Sequence, residues 1–301
     1  MGPKLTLHSI TIRHCRELER KFEIAAECGY AGLDLEETDV LRYLEQGQTQ
    51  DDLAALRSRF DLVVTHNGYL SDFQFIDGPP VVCKFTREET DDVNDLRRAT
   101  DDFFAHCGAL KCENALVLSS IERSGTVERA AEDLGKLGEW AARFKIRLAY
   151  EFMGFAKQIR DLPTAWEIVR KVDRENVGLC IDTFHVYRGK SRIDSIRQVQ
   201  KEKIFFVHLN DAKQRPVEQL GDYDRVYPGE GVLPVREVLQ ALKDIGYDGY
   251  YSIEIYNEDY WKVDPKEVAT KAKEKAEALF ARLGRYSETW QGDSLLPSTK
   301  R

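Results

Sequence analysis

Residues 177–185 read Val177-Gly178-Leu179-Cys180-Ile181-Asp182-Thr183-Phe184-His185. Five apolar or small residues run straight into an aspartate. Such a run has the length of a fully buried strand, and a carboxylate at its end needs a partner. The pattern recurs on both sides. Leu148-Ala149-Tyr150-Glu151 ends in glutamate, Phe205-Phe206-Val207-His208 in histidine, and Tyr251-Ser252-Ile253-Glu254 in glutamate.

Working outward, apolar runs predict eight strands: Leu5–Ile10, Gly32–Leu35, Leu62–His66, Ala115–Leu118, Arg147–Glu151, Val177–Ile181, Ile204–Leu209 and Tyr250–Ile255. Helical spacing fills the gaps. Its clearest instance puts Val127, Ala130, Ala131, Leu134, Leu137, Trp140, Ala141 and Phe144 on one face. Cys28-Gly29 and Ile245-Gly246 read as helix ends with glycine beyond the last turn. Asp264-Pro265-Lys266-Glu267 reads as an N-cap, a first-turn proline and a capping-box glutamate.

Alternating strands and helices fit either a closed barrel or an open doubly wound sheet. No G-x-G-x-x-G follows the first strand. An open sheet concentrates its site at one switch point, whereas a barrel gathers every strand end around one mouth. Four successive strands ending in chemistry-bearing residues therefore predict an α/β protein: a single (β/α)8 TIM barrel over residues 1–284. The polar segment 285–301 reads as a tail or a contact within a homo-oligomer. Two long loops, 68–92 and 210–233, read as functional or disordered, and the aromatics Tyr69, Phe73, Phe75 and Phe85 of the first favour a lid or interface.

Composition excludes other classes. A net charge of −8 in 301 residues argues against a nucleic-acid partner, which calls for a basic face. No apolar run reaches the roughly 18 residues of a membrane span. The N-terminus lacks an apolar signal region and matches the myristoylation pattern only loosely, so a cytoplasmic protein is expected. The six cysteines form no C-x-x-C pair and read as free thiols.

Three carboxylates meeting at one barrel mouth repel one another, and a divalent cation resolves the conflict. Glu151, Asp182, His208 and Glu254 offer oxygen, one imidazole and no thiolate. That set suits one Mn2+, Mg2+ or Co2+ ion and tolerates Zn2+, with Mn2+ the first choice. His185, three residues past Asp182, reads either as a substrate contact or proton carrier, or as a cap on the next helix. Arg225, in Asp224-Arg225-Val226-Tyr227-Pro228-Gly229-Glu230-Gly231, reads either as a solvated charge or as a substrate contact fixed by the turn after it. His66 closes the third strand and is assigned to the pocket rather than to a second metal. His8 is similarly placed on the first strand. His14 and His106 read as structural residues of helical stretches.

Glu151-Phe152-Met153-Gly154, the 177–185 run, the 224–231 run and Ser252-Ile253-Glu254 resemble the xylose-isomerase-like barrel superfamily, and within it the 2-keto-myo-inositol (inosose) isomerases. The likeness is dense from Arg147 to Phe280. It implies one metal held by Glu151, Asp182, His208 and Glu254, with Glu151 and Glu254 exchanging the proton of the reacting carbon. It also implies that His185 and Arg225 touch the substrate, a small polyhydroxy ketone. In the related ketose 3-epimerases a further glutamate follows the first ligand. Lys157 stands near that place here, which argues against a free-ketose 3-epimerase. The expected activity is a sugar or polyol isomerase or epimerase working through an enediolate. The alternative is a lyase of the same superfamily, either an inosose dehydratase or a C-glycoside-cleaving subunit. A silent binding barrel, and an endonuclease needing more histidines at strand ends, are further rivals.

Overall fold

The computed structural model describes residues 2–71, 81–82, 93–121 and 125–289. Its parallel strands are β1 (Lys4–His8), β2 (Gly32–Asp34), β3 (His66–Ser71), β4 (Asn114–Leu118), β5 (Arg147–Glu151), β6 (Val177–Asp182), β7 (Ile204–Leu209) and β8 (Tyr250–Ile253). They pair in the order β2-β1-β8-β7-β6-β5-β4-β3. Two parallel bridges, Gly32 to Val63 and Leu35 to Asn67, join β2 to the β3 segment and complete the ring. The fold is a (β/α)8 barrel.

Seven strands lie within two residues of their expected ends. The third does not: regular pairing begins at His66, where the sequence reading ended it. The cause is Asp34. Its carboxylate accepts the Thr65 amide (2.8 Å) and the hydroxyls of Thr6 and Thr65. These bonds tie β1, β2 and the approach to β3 together through a side chain where a backbone ladder would otherwise run. Gly32 sits at this seam because a Cβ there would collide with the Val63 carbonyl.

Side chains alternate along each strand, so every second residue enters the barrel. Ala149, Cys180 and Phe206 pack with Leu116 in an inner cluster. Two positions further on stand Glu151, Asp182 and His208, and the same step leads from Ser252 to Glu254. The outward residues Leu148, Leu179, Ile181 and Val207 join the larger core beneath the helices. The helix Val127–Ala142 buries Ala130, Ala131, Leu134, Leu137 and Ala141, the expected face.

Gly29 and Gly246 close their helices at φ of 70° and 74°, as the sequence implies. Asp264 accepts the amides of Lys266 and Glu267 at 3.0 and 3.1 Å. The helix it caps runs from Pro265 to Thr289, five residues into the segment read as a tail. Residues 290–301, and Phe73, Cys83, Phe75 and Phe85 of the first long loop, lie outside the described residues. In the second loop, Asp211–Ala212 pairs antiparallel with Arg225–Val226. The Asp211 carboxylate accepts the amides of Gly229, Gly231 and Leu233 at 3.1, 2.9 and 2.8 Å. Among the described residues no helix is long and apolar enough to cross a membrane.

Candidate metal centre and pocket

The four strand-end residues meet. Nδ1 of His208 lies 3.2 Å from Glu151 Oε1, 3.3 Å from Glu254 Oε2 and 3.8 Å from Asp182 Oδ2. All four side chains are buried. Burial works against a charged imidazole, but Glu254 and Glu151 overcome it and hold the His208 pKa at about 9. Burial pushes Glu254 up to about 8, against the pull of His208 and Arg225. Asp182 stays near 2, because Arg225, His185 and His208 outweigh its burial. Cys180 donates to Glu151 Oε1 at 3.7 Å. Burial and the nearby carboxylates push its pKa well up, so it remains a thiol. Three carboxylates and one imidazole nitrogen aimed at one point fit a divalent cation bound mainly through oxygen.

Asp182 has a second task. Its Oδ1 accepts the amides of Phe184 (2.6 Å) and His185 (3.3 Å), capping the helix Thr183–Arg188. Asn210 donates to the same oxygen at 3.1 Å. Oδ2 is thereby left to face His208 and Arg225.

Arg225 is 2% exposed, which removes the solvated-charge reading. The Asp211-anchored loop carries it inward, and Nη1 bonds Asp182 Oδ2 (2.8 Å) and Glu254 Oε2 (2.5 Å). Nη2 bonds Asp222 at 2.9 Å. The guanidinium packs over Phe184 and Tyr256. It therefore touches the strand-end cluster directly.

His185 does not cap the helix; the Asp182 carboxylate does. Its Nδ1 instead accepts the Gly154 amide at 3.1 Å, which places the proton of the neutral ring on Nε2. That Nε2 lies 3.4 Å from Arg225 Nη2. Both atoms are donors, so neither satisfies the other.

His66 Nε2 lies 3.2 Å from His208 Nε2, and its ring stacks on Phe206. Burial lowers its pKa to about 3, so the ring is neutral. His8 accepts the Ile10 amide through Nδ1, and its Nε2 lies 3.7 Å from Glu254 Oε1. His106 is buried with its Nδ1 2.7 Å from Glu37 Oε1, and it does not line the pocket. His14 lies in a turn after the short helix Ser9–Ile12 rather than in a helix.

His8, His66, Glu151, His185, Arg225 and Glu254 line a cavity of about 260 Å3. Leu116, Leu118, Met153 and Phe155 form an apolar side, and Glu36, Asp222, Tyr223 and Tyr256 add polar groups. The sequence reading missed Glu36, although it follows Asp34 by two positions at the end of β2. The signal was the same as for Glu151: a carboxylate closing an apolar run. Asp222 was legible as a carboxylate three residues before Arg225.

The model of the xylose isomerase-like TIM barrel family matches residues 22–281. This chain belongs to that family. Within it, the chain is 34% identical over 174 residues to an inosose isomerase of Bacillus velezensis. That match covers 58% of this chain and 60% of the relative, so the chain spans about three fifths of the relative's length. It is 29% identical over 247 residues to a 3-dehydroshikimate dehydratase of Pseudomonas aeruginosa, covering 81% of this chain and 37% of that one. Among solved structures it is similar to the IolI protein with a bound zinc atom. The TM-score is 0.81 at 25% identity, over 93% of this chain and 99% of that one.

Proposed function

We propose that this family member is a divalent-metal-dependent isomerase or epimerase of a polyhydroxy ketone of the inosose class. One observation carries the reading: Glu151, Asp182 and Glu254 converge on Nδ1 of His208 at the barrel mouth, beside the donors His185 Nε2 and Arg225 Nη2. The similarity to inosose isomerases supports the substrate class. Glu151, Asp182, His208 and Glu254 would hold one ion. Their oxygen-rich set favours Mn2+, and the IolI neighbour carries zinc. Bound there, the ion supplies Lewis-acid polarisation of the ketone and its neighbouring hydroxyl.

The rest of the chemistry belongs to the side chains. Glu254 removes or returns the proton on the carbon next to the ketone. Glu151 faces it across His208 and serves the opposite transfer. His185 Nε2–H and Arg225 Nη2 converge on a gap that an enediolate oxygen fits as acceptor of both. Return of the proton to the neighbouring carbon moves the ketone; return to the other face of the same carbon inverts it. The apolar side of the pocket keeps bulk water from competing for that proton.

The dehydratase relatives favour a second reading, in which the same proton abstraction leads to loss of water. NMR of the Mn2+-loaded protein with inososes and free ketoses in D2O separates the two. Isomerisation gives deuterium at the reacting carbon and a new ketone of equal mass otherwise. A dehydrated product moves the assignment to the lyase, and absence of both exchange and product sinks both. Glu254→Gln should keep the fold and lose turnover by more than about a hundredfold.

A further inference from the structure

Glu36 is the one carboxylate of the pocket wall to which no hydrogen bond or ion pair is assigned among the described residues. It stands two residues past the end of β2, at the N-cap position of the helix Glu37–Glu45, yet its side chain makes no capping bond. Its backbone amide is fixed by the Ser9 hydroxyl at 3.1 Å. Of the basic groups in its field, Arg13 is exposed and lies over the Trp261 ring without bonding the carboxylate, and the other two are committed elsewhere. Lys21 holds Asp39 at 2.7 Å and the Ser9 carbonyl, and Arg42 holds Asp39 at 3.3 Å. Across the cavity, Arg225 is bonded to Asp182, Glu254 and Asp222. A half-buried carboxylate normally finds a donor in its own protein. This one lines the cavity with no protein donor on its carboxylate, and Tyr256, whose phenol burial keeps protonated, lines the same cavity.

Charge makes the position selective. The cavity is walled by Glu36, Glu151, Asp222 and Glu254, with Asp182 behind them. Arg225 is the one described guanidinium or ammonium on its lining. A single divalent ion added to Arg225 still leaves an excess of negative charge. Hydroxyl groups donate to such a surface, whereas a carboxylate or phosphate is repelled by it.

We propose that Glu36 is a specificity-determining residue: its carboxylate accepts hydroxyl hydrogens of an uncharged polyol and turns away the carboxylated or phosphorylated counterpart. The inference rests on the sugar-type reading above and adds the residue that selects an uncharged ring over a charged one. Burial, reinforced by Asp39, holds the Glu36 pKa at about 7, so the group is ionised at pH 8, where the test belongs.

The test uses the Mn2+-loaded full chain and two probes of like ring size, myo-inositol and its carboxylated analogue quinate. Calorimetry at pH 8 gives the ratio of their dissociation constants in wild type and in Glu36→Gln. Glutamine keeps the volume and removes the charge; matched circular dichroism spectra establish that the variant is folded. Wild type should prefer myo-inositol. Glu36→Gln should shift the ratio toward quinate by about 10-fold or more, the worth of one charge-assisted contact. On a turned-over ketone the variant should raise KM more than it lowers kcat, because Glu36 does not touch the reacting carbon. A ratio that stays within about twofold overturns the proposal, as does a wild type that binds quinate the more tightly. If no ketone is turned over but the ratio shifts, the functional reading fails and the selectivity stands. If inosose is isomerised and the ratio does not move, this inference fails alone.

Discussion

Nε2 of His66 lies 3.2 Å from Nε2 of His208, while Nδ1 of His208 faces three carboxylates. The first ring thus fixes the second. His66 is neutral, so its Nε2 can accept the proton of His208 Nε2, leaving Nδ1 bare for a cation. His66→Ala should weaken Mn2+ binding by about 10–100-fold, the usual effect of losing such a support. Competition with a calibrated chelator measures it. Unaltered affinity would return His66 to a plain pocket-lining role.

Metal uptake should also depend on pH. With its pKa raised to about 9, His208 carries a proton at pH 7 that it must release to coordinate a cation. Glu254, raised to about 8, adds to the same requirement. Affinity should therefore climb as pH rises from 6 toward 9. Calorimetry in buffers of different ionisation enthalpy should detect protons released on binding. Binding that ignores pH over this range would contradict the proton placement.

What the sequence disclosed, and what it hid, follows from range. The ligand set was legible because strand alternation is local: Ala149 and Glu151, or Phe206 and His208, share a face by spacing alone. The start of β3 was hidden because Asp34, thirty-one residues before Thr65, takes the bonds that a ladder would use. Arg225 read as an even choice because nothing local announces that Asp211 pins its loop from the inside. The His66 and His208 pairing spans 142 residues and has no sequence signature. Glu36 carried a legible signal, a carboxylate closing β2, but lacked the recurrence on neighbouring strands that singled out the other four.

Arg225 supplies the counter-charge for Asp182 and Glu254. Removing one member of a buried pair strands the other, at a cost of about 3–5 kcal/mol. Arg225→Ala should lower the melting temperature of the metal-free protein. Saturating Mn2+ should recover more in the variant than in wild type, since the cation replaces part of the missing charge. Turnover should stay low even then, because the fork beside His185 is gone. Arg225→Lys should rescue stability better than turnover, as a point charge cannot reproduce two directed donors. A metal-free Arg225→Ala protein that melts like wild type would show that the ion pairs contribute little.

The Glu36 carboxylate gives a stability test independent of any ligand. Its pKa in the folded chain is about 7, raised from the ordinary 4.5 chiefly by burial. Between those values the folded state holds a proton that the unfolded state has lost. Stability contributed by this group is therefore greatest below pH 4.5 and declines as pH rises toward 7. Above 7 both states are ionised and the deficit is complete. Glutamine does not titrate, so the comparison with Glu36→Gln cancels every other group that both proteins share. The melting temperature of the variant, minus that of wild type, should be larger at pH 8 than at pH 5. A difference that stays constant across this range would mean that solvent already satisfies the carboxylate, and that its pKa is the ordinary one.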